Sequence, residues 1–286
     1  MTGIDAHCHV FLADGVPRTP LVRGAAYHPP KVDVHDHARH LDDVGCNRGV
    51  LVQPSAYGQD HRCLLASLRR RPGTLRGVAC IDLHTPEESL REMHDMGVRA
   101  TRIQDGYPGG VPVESLVDIG ERVSPLGWHL ELWTDVRQHV SWLADAIRRC
   151  PVPVVLDHQG YLPSDVGVDD PALRSILCLL EQGRAWVALT GLERLFPGEA
   201  GATRPDAASW ERHEEAIADR VRLFVETRPD HLLWGSDWPH VGLSLPPPTG
   251  RELRARLDRW IPDRVTRRQV MVDNAKRRYD FVDTVD

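Results

Sequence analysis

The chain has 286 residues, with 35 lysines and arginines against 41 aspartates and glutamates, and a formal net charge of −6. This balance excludes a general basic field, so we expect no nucleic-acid partner and no membrane partner. No apolar run reaches membrane-spanning length, and candidate site residues begin already at His7, which leaves no room for a signal peptide. A cytoplasmic location is therefore expected. The six scattered cysteines contain no C-x-x-C pair, which excludes a zinc knuckle and a disulfide framework.

Short apolar runs alternate with helical patterns along the whole chain. Eight runs read as strands: Gly3–Val10, Arg48–Gln53, Arg76–Ile81, Val98–Gln104, Trp128–Trp133, Val152–Asp157, Ala185–Thr190 and Leu232–Ser236. Among the helices, "DDPALRSILCLLEQG" has Asp170 as N-cap, Pro171 at the first helical position and Gly183 past its end. Residues 135–150 also repeat apolar side chains at helical spacing.

This alternation predicts a parallel sheet that is covered by helices on both faces. Eight units in fewer than 300 residues favour a (β/α)8 TIM barrel that spans residues 1–286 as one domain. A doubly wound sheet is the rival architecture, but it needs a G-x-G-x-x-G turn after its first strand, and "HVFLADGV" has none.

Ionisable residues lie where three predicted strands end. His7 and His9 are two apart on the first strand and so share a face, with Asp5 expected below them at the same parity. The strand in "VPVVLDHQG" ends in Asp157 and His158. In barrel enzymes the catalytic residues lie at the C-terminal ends of the strands. An H-x-H motif alone, however, more often belongs to a strand without a catalytic role.

The third strand end is in "HLLWGSDWPH", which breaks into Asp237 and, three residues later, His240. If the barrel closes, the first and last strands become neighbours, and His7 meets Asp237. Three histidines and a carboxylate can bind a divalent metal, commonly zinc, or they can donate hydrogen bonds to a carbonyl while the carboxylate takes a proton from water. Both arrangements lead to hydrolysis.

Six short motifs occur in order over nearly the whole chain: "DAHCHVF", "QPSAYGQD", "GVRATRIQ", "LDHQG", "VALTGLERL" and "LWGSDWPH". With these motifs the chain resembles the amidohydrolase superfamily, and more narrowly its branch typified by 2-pyrone-4,6-dicarboxylate lactonase, with sulfomuconolactone hydrolase and galactarolactone isomerase as relatives. The resemblance implies a distorted amidohydrolase barrel and a hydrolase that opens the lactone of a small, anionic organic acid.

The resemblance also implies roles for individual residues. Asp237 is the general base, and His7, His9 and His158 surround the lactone carbonyl, either directly or through one divalent metal, for which zinc is the first choice. The metal ligands are then these three histidines and Asp237. Substrate-binding positions are matched by the following residues: Tyr27, Arg102, Tyr161, Arg194 and His240.

Three features of the sequence narrow the expected substrate and the expected type of site. Tyr161 stands where the family carries an arginine, so the substrate is expected to be less anionic than a pyrone dicarboxylate. The segment "VRATRIQ" has no lysine, which argues against a binuclear centre bridged by a carboxylated lysine. Strand five has His129 at the wrong end for a metal-dependent decarboxylase.

Several alternatives stay open at this point. The scaffold also suits a lactone isomerase, a metal-dependent non-oxidative decarboxylase or, remotely, a barrel that binds a ligand without catalysis. The expected partner is a small-molecule substrate. Whether the chain forms a homo-oligomer is left open by the sequence.

Further predictions concern histidines, tryptophans and loops. His35, His37 and His40 are predicted to lie on a solvated helix start. Three tryptophans suit a pocket wall or the core equally well: Trp133, Trp234 and Trp238. The long loops at 11–33, 191–207 and 238–250 are expected to be lids or substrate walls.

Overall fold

A computed structural model describes residues 2–197, 206–243 and 247–282. Within these ranges eight parallel strands pair in sequence order. They are β1 Gly3–Cys8, β2 Cys46–Val52, β3 Leu75–Ala79, β4 Val98–Gln104, β5 His129–Trp133, β6 Val154–Leu156, β7 Ala185–Leu189 and β8 Leu232–Trp234. Every predicted strand is present, so the TIM-barrel prediction is confirmed. The predicted lid positions 198–205 and 244–246 lie outside the described residues.

Helices follow the strands and cover the outside of the barrel. Those in the described ranges are α1 Val34–Asp43, α2 Arg62–Arg70, α3 Glu87–Asp95, α4 Leu116–Val123, α5 Leu143–Arg149, α6 Pro171–Glu181, α7 Ala207–Thr227, α8 Gly250–Trp260, α9 Arg264–Arg268 and α10 Asn274–Tyr279. Asp170 caps α6 as predicted, by accepting a hydrogen bond from the Ala172 amide. None of these helices is long and apolar enough to cross a membrane.

The helix predicted over 135–150 is shorter than expected. Asp135 caps a separate 3-10 turn, Val136–Gln138, and accepts from the Arg137 amide. The α-helix begins only at Leu143. The side chain of Asp135 therefore stabilises a local turn in place of the first helical turns.

Backbone hydrogen bonds join the first and last strands. A parallel bridge links Cys8 to Trp238. The His9 amide donates to the Trp238 carbonyl at 2.8 Å, and the Asp237 amide donates to the His7 carbonyl at 2.9 Å. These bonds close the barrel and place His7 directly beside Asp237.

In strand β1, the alternation of inward-facing and outward-facing side chains changes part-way along the strand. Ile4 and Ala6 pack in the apolar cluster that fills the lower barrel, which α10 closes with Tyr279. The register of β1 against β2 shifts between Asp5 and Cys8. The expectation that Asp5 lies below His7 on the same face is therefore wrong: the irregularity turns Asp5 towards His40 of α1, 3.2 Å away, while His7 points inwards.

Helix α1 corrects a second prediction. His35 is exposed, but His37 and His40 are buried, so a solvated helix start is wrong for both. A Cβ on residue 49 would lie 2.7 Å from the His37 ring, so Gly49 lets this ring approach β2. His40 stacks on Trp238, with ring centroids 5.2 Å apart. The sequence pattern did not reveal this packing because the partners are distant in the chain.

Candidate active site

The residues predicted at three strand ends meet at the mouth of the barrel. The rings of His7 and His9 lie 5.2 Å apart, and those of His7 and His158 lie 5.1 Å apart. His7 Nε2 lies 4.0 Å from Asp237 Oδ1. All four side chains are buried. We call this set, His7, His9, His158 and Asp237, the mouth cluster.

Two members of the cluster have unusual backbone conformations. His158 has φ 49° and Asp237 has φ 64°, in the left-handed region that side chains other than glycine rarely adopt. A Cβ on Gly191 would lie 2.5 Å from His158 Nδ1, and one on Gly235 would lie 2.7 Å from His7. Left-handed turns together with these small neighbours let the side chains point inwards, and such local strain is typical of functional sites.

The imidazoles of the cluster are neutral. Burial lowers the pKa of His9 to about 4 and that of His158 to about 3, and it holds the pKa of His7 well below its usual range. His9 Nδ1 lies 2.8 Å from the Val52 carbonyl oxygen, which only accepts, so Nδ1 carries the proton and Nε2 carries a lone pair. His158 Nδ1 lies 2.7 Å from Thr190 Oγ1.

Asp237 is ionised and asymmetrically bound. Its Oδ2 accepts from Arg194 Nε at 2.7 Å, whereas the buried Oδ1 has no hydrogen-bond partner in the described residues. Burial opposes ionisation, but the Arg194 guanidinium holds the pKa of Asp237 well below its usual range. Arg194 also donates to the Val241 carbonyl at 3.0 Å. Arg194 is therefore bound to the predicted base as well as facing the cavity.

Two further carboxylates lie beneath His7. Its Nδ1 lies 3.7 Å from Asp157 Oδ1 and 4.0 Å from Glu131 Oε2. Burial raises the pKa of Asp157 to about 6, despite the opposing charge of Arg102. Burial, with Asp157 nearby, raises the pKa of Glu131 well above its usual range, and Tyr279 donates to its Oε1 at 2.5 Å.

Sequence reasoning gave Glu131 and Tyr279 no place in the site. Alternation along β5 places Glu131 on the inner face together with Trp133, a signal that could have been used. Tyr279 follows the last strand by more than 40 residues and carries no motif, so only the folded chain shows its contact with Glu131.

Three members of the cluster fit a divalent ion. One ligand atom from each of His7, His9 and Asp237 lies within 4.8 Å of the others. His7 Nε2 and Asp237 Oδ1 are buried, have no partner among the described residues and lie 4.0 Å apart. His158, which the sequence placed in the same ligand set, is outside this group of three. Neutral imidazoles with a carboxylate are ligands that zinc prefers.

A narrow cavity of about 20 Å³ opens above the cluster. Three predicted substrate-binding residues line it, namely Tyr27, Arg102 and Arg194, and the walls also include Ser55, Gln104, Tyr107 and Trp133. The buried Nε of Arg102 has no partner in the described part of the chain. Tyr161 lines an adjoining outer pocket.

The other predicted wall residues lie elsewhere. His240 is buried near Asp237 but is not among the residues that line the cavity. Of the three tryptophans, only Trp133 is a wall residue. Trp234 packs in the core between strands and helices, and Trp238 stacks on His40.

Proteins of known function are similar to this chain over most of its length. The 2-pyrone-4,6-dicarboxylate hydrolase of Comamonas testosteroni is 29% identical over 96% of this chain and 89% of that protein. The 4-sulfomuconolactone hydrolase of Rhizobium radiobacter is 27% identical over 97% of this chain and 90% of its own length. The D-galactarolactone isomerase of Agrobacterium fabrum is 24% identical over 95% and 88%.

A solved structure is similar along its whole length. It is described as a 2-pyrone-4,6-dicarboxylic acid hydrolase from Pseudomonas putida, with 27% identity, a TM-score of 0.80 and 99% coverage of both chains. The family model described as "Amidohydrolase" matches residues 4–281. The chain therefore belongs to the amidohydrolase family.

Proposed function

We propose that this amidohydrolase hydrolyses the lactone of a small organic acid, with Asp237 as the general base. The observation that carries the proposal is the asymmetry of Asp237, which is ionised, anchored through Oδ2 and bare at Oδ1. Two relatives named as lactone hydrolases support the substrate class. The narrow cavity above the mouth cluster adjoins a larger pocket of about 680 Å³, which has the volume for a small lactone.

The proton follows a short path in this mechanism. Oδ1 of Asp237 accepts a proton from a water molecule as the water oxygen attacks the lactone carbonyl. The ring C–O bond then breaks, and Asp237 returns the proton to the departing oxygen. Because the pKa of Asp237 is held low, the carboxyl group gives up this proton readily to an alkoxide. The product is a hydroxy acid, which releases a proton at neutral pH.

Other residues hold the carbonyl in place. Arg102 Nη2 lies 3.5 Å from Asp157 Oδ2, but Arg102 Nε has no partner among the described residues, so this side of the guanidinium can bind an anionic group of the substrate. His158 can donate from Nε2 when its Nδ1 accepts from Thr190. His9 cannot donate to the substrate, because its only proton is on Nδ1.

We further propose that His7, His9 and Asp237 bind one divalent ion, with zinc the best match. A bound zinc ion would polarise the carbonyl and lower the pKa of a water molecule. The lone pair on His9 Nε2 supports this assignment, as do His7 Nε2 and Asp237 Oδ1, which have no hydrogen-bond partner in the described residues.

A panel of lactones tests the function. Proton release on mixing, with the ring-opened hydroxy acid identified as the product, is the expected result. An 18O label from solvent water entering the new carboxylate separates hydrolysis from isomerisation, which the isomerase relative keeps as the second candidate. Isomerised product without the label would replace hydrolysis by isomerisation, and the absence of any reaction across the panel would contradict both.

A further inference from the structure

The inner cavity adjoins a larger outer pocket of about 680 Å³. The two spaces share Tyr107, Trp133 and Arg194 as wall residues. A substituent on a lactone that lies over Asp237 would extend past these shared residues towards Tyr161. The chemistry of the outer pocket decides which substituent fits.

Aromatic rings form one side of this pocket. Trp133 lies 4.8 Å from Tyr107 and 5.1 Å from Tyr161, measured between ring centroids. Phe196 is also a wall residue. A Cβ on residue 106 would lie 1.9 Å from the Trp133 ring, so Gly106 is needed for the indole to occupy this position. The aromatic wall is therefore built into the packing of the β4 and β5 loops.

The charges of the outer pocket oppose a second carboxylate. Three aspartates line it: Asp105, Asp135 and Asp165. Its arginines already have partners, since Arg137 donates to Asp135 at 2.7 Å and 2.9 Å, and Arg194 is bound to Asp237. A carboxylate placed here would lie among carboxylates, with like charges close together.

Two of the three aspartates already accept hydrogen bonds from neighbouring side chains, which leaves them less able to bind the hydroxyl groups of a substituent. Asp105 Oδ2 accepts from Thr134 Oγ1 at 3.0 Å and lies 3.0 Å from His139 Nε2. Asp135 accepts the two bonds from Arg137. Four aromatic residues, Tyr107, Trp133, Tyr161 and Phe196, line the pocket beside these carboxylates, and a ring packs favourably on such side chains in edge-to-face or offset geometry.

We propose that the substrate is a lactone with one carboxylate, held at Arg102, and with an uncharged aromatic substituent that packs against Trp133 and Tyr161. This inference rests on the proposed lactone hydrolysis and names its substrate class. It assigns Tyr161 as the residue that selects the substituent.

Three butyrolactone carboxylates test it: one with a phenyl substituent, one with a methyl group and one with a second carboxylate at the same ring position. We expect kcat/KM for the phenyl compound to be about tenfold above that for the methyl compound, since aromatic contacts add to the burial of apolar area. The dicarboxylate is expected to be the poorest of the three. Equal rates for phenyl and methyl, or a preference for the dicarboxylate, would overturn the proposal.

Substitutions of Tyr161 locate the effect. Tyr161→Ala should remove most of the phenyl preference, whereas the matched control Tyr161→Phe, which keeps the ring, should retain it. Tyr161→Arg should raise kcat/KM for the dicarboxylate relative to the phenyl compound. A phenyl preference that survives Tyr161→Ala unchanged would contradict the assignment of this residue.

Calorimetry with the three ring-opened hydroxy acids separates this inference from the proposed reaction. If no lactone is opened but the phenyl hydroxy acid binds about tenfold tighter than the methyl one, the outer pocket is correctly assigned and the reaction is wrong. Turnover of lactones with equal affinities for the three acids would refute the substrate class alone.

Discussion

Two clusters of similar residues lie on either side of strand β1 and teach how a catalytic site differs from a structural one. The mouth cluster faces the cavity. The second cluster, which we call the clamp, consists of Asp5, His40 and Ser236. Each cluster contains an aspartate and histidine, each is buried, and each includes residues whose atoms lie close enough to hold a metal ion.

The polar atoms of the clamp are paired with one another. Asp5 Oδ1 accepts from the Ser236 amide at 2.8 Å and from the His7 amide at 3.3 Å. His40 Nε2 lies 2.9 Å from Ser236 Oγ and 3.2 Å from Asp5 Oδ2. Since one carboxylate holds amides on β1 and next to β8, the clamp fixes the strand ends that carry His7 and Asp237.

The mouth cluster, in contrast, contains buried polar atoms without a hydrogen-bond partner. His7 Nε2 and Asp237 Oδ1 have no partner among the described residues, although an unpaired buried polar atom costs free energy. A fully paired cluster stabilises the fold, while an incompletely paired one is ready to bind. This difference leads to the following predictions, which begin with the largest expected effect.

Substitution Asp237→Asn should lower kcat by about 10²–10⁴-fold, because an amide cannot take the proton from water. Circular dichroism should show the fold retained, with a lower melting temperature because Arg194 loses its ionic partner. Proton release from the best lactone measures the rate. The exposed Asp95→Asn on α3 is the matched control and should be fully active; full activity of Asp237→Asn would remove the assigned base.

Zinc binding should distinguish the two clusters. The protein is expected to bind one zinc ion, measured by elemental analysis after dialysis, and His7→Ala should abolish this binding. His40→Ala should leave it intact, because burial raises the pKa of Cys8 well above its usual range and keeps the clamp's neighbouring thiol protonated. Loss of zinc in His40→Ala but not in His7→Ala would place the ion at the clamp.

Removing the clamp histidine should mainly affect stability. His40→Ala leaves Asp5 Oδ2 and the stacked face of Trp238 without their partner, so the free energy of unfolding should fall by about 1–3 kcal/mol. Denaturant unfolding measures this change in the free energy of unfolding. His35→Ala, one turn away and exposed, should change it little; an equal loss in both variants would show that the clamp contributes nothing specific.

The smallest expected effect concerns the stability of the fold at acid pH. Burial lowers the pKa of His37, beside the clamp, from 6.5 to about 4, and both ring nitrogens lack partners in the described residues. Below pH 6.5 the unfolded chain therefore binds a proton that the folded chain does not, and stability falls as the pH drops towards 4. His37→Leu should reduce this loss by about 1 kcal/mol at pH 5.5, relative to pH 7.

Melting temperatures at the two pH values measure the effect. The exposed His35→Gln serves as the control and should show the wild-type slope. An unchanged slope in His37→Leu would mean that His37 does not contribute to acid sensitivity.

The sequence by itself determined the barrel and much of its mouth. Strand and helix periods depend on local neighbours in the sequence. The C-terminal ends of the parallel strands of a closed barrel lie at the same end, so the sequence predicted that His7, His9, His158 and Asp237 lie close together. Arg102 and Tyr27 followed from the family resemblance and do line the cavity. Their roles, and the metal, stay predictions until they are tested.

Only the tertiary structure decided which of these atoms are free. The irregularity in β1 turned Asp5 outwards, α1 buried His37 and His40, and α10 brought Tyr279 under Glu131. Hydrogen bonding joins partners that lie far apart in the chain, such as Asp5 and Ser236, which are separated by 231 residues, and no local pattern encodes such a contact. The distinction between the paired clamp and the bare mouth cluster therefore arises from packing, because pairing is a property of position in space.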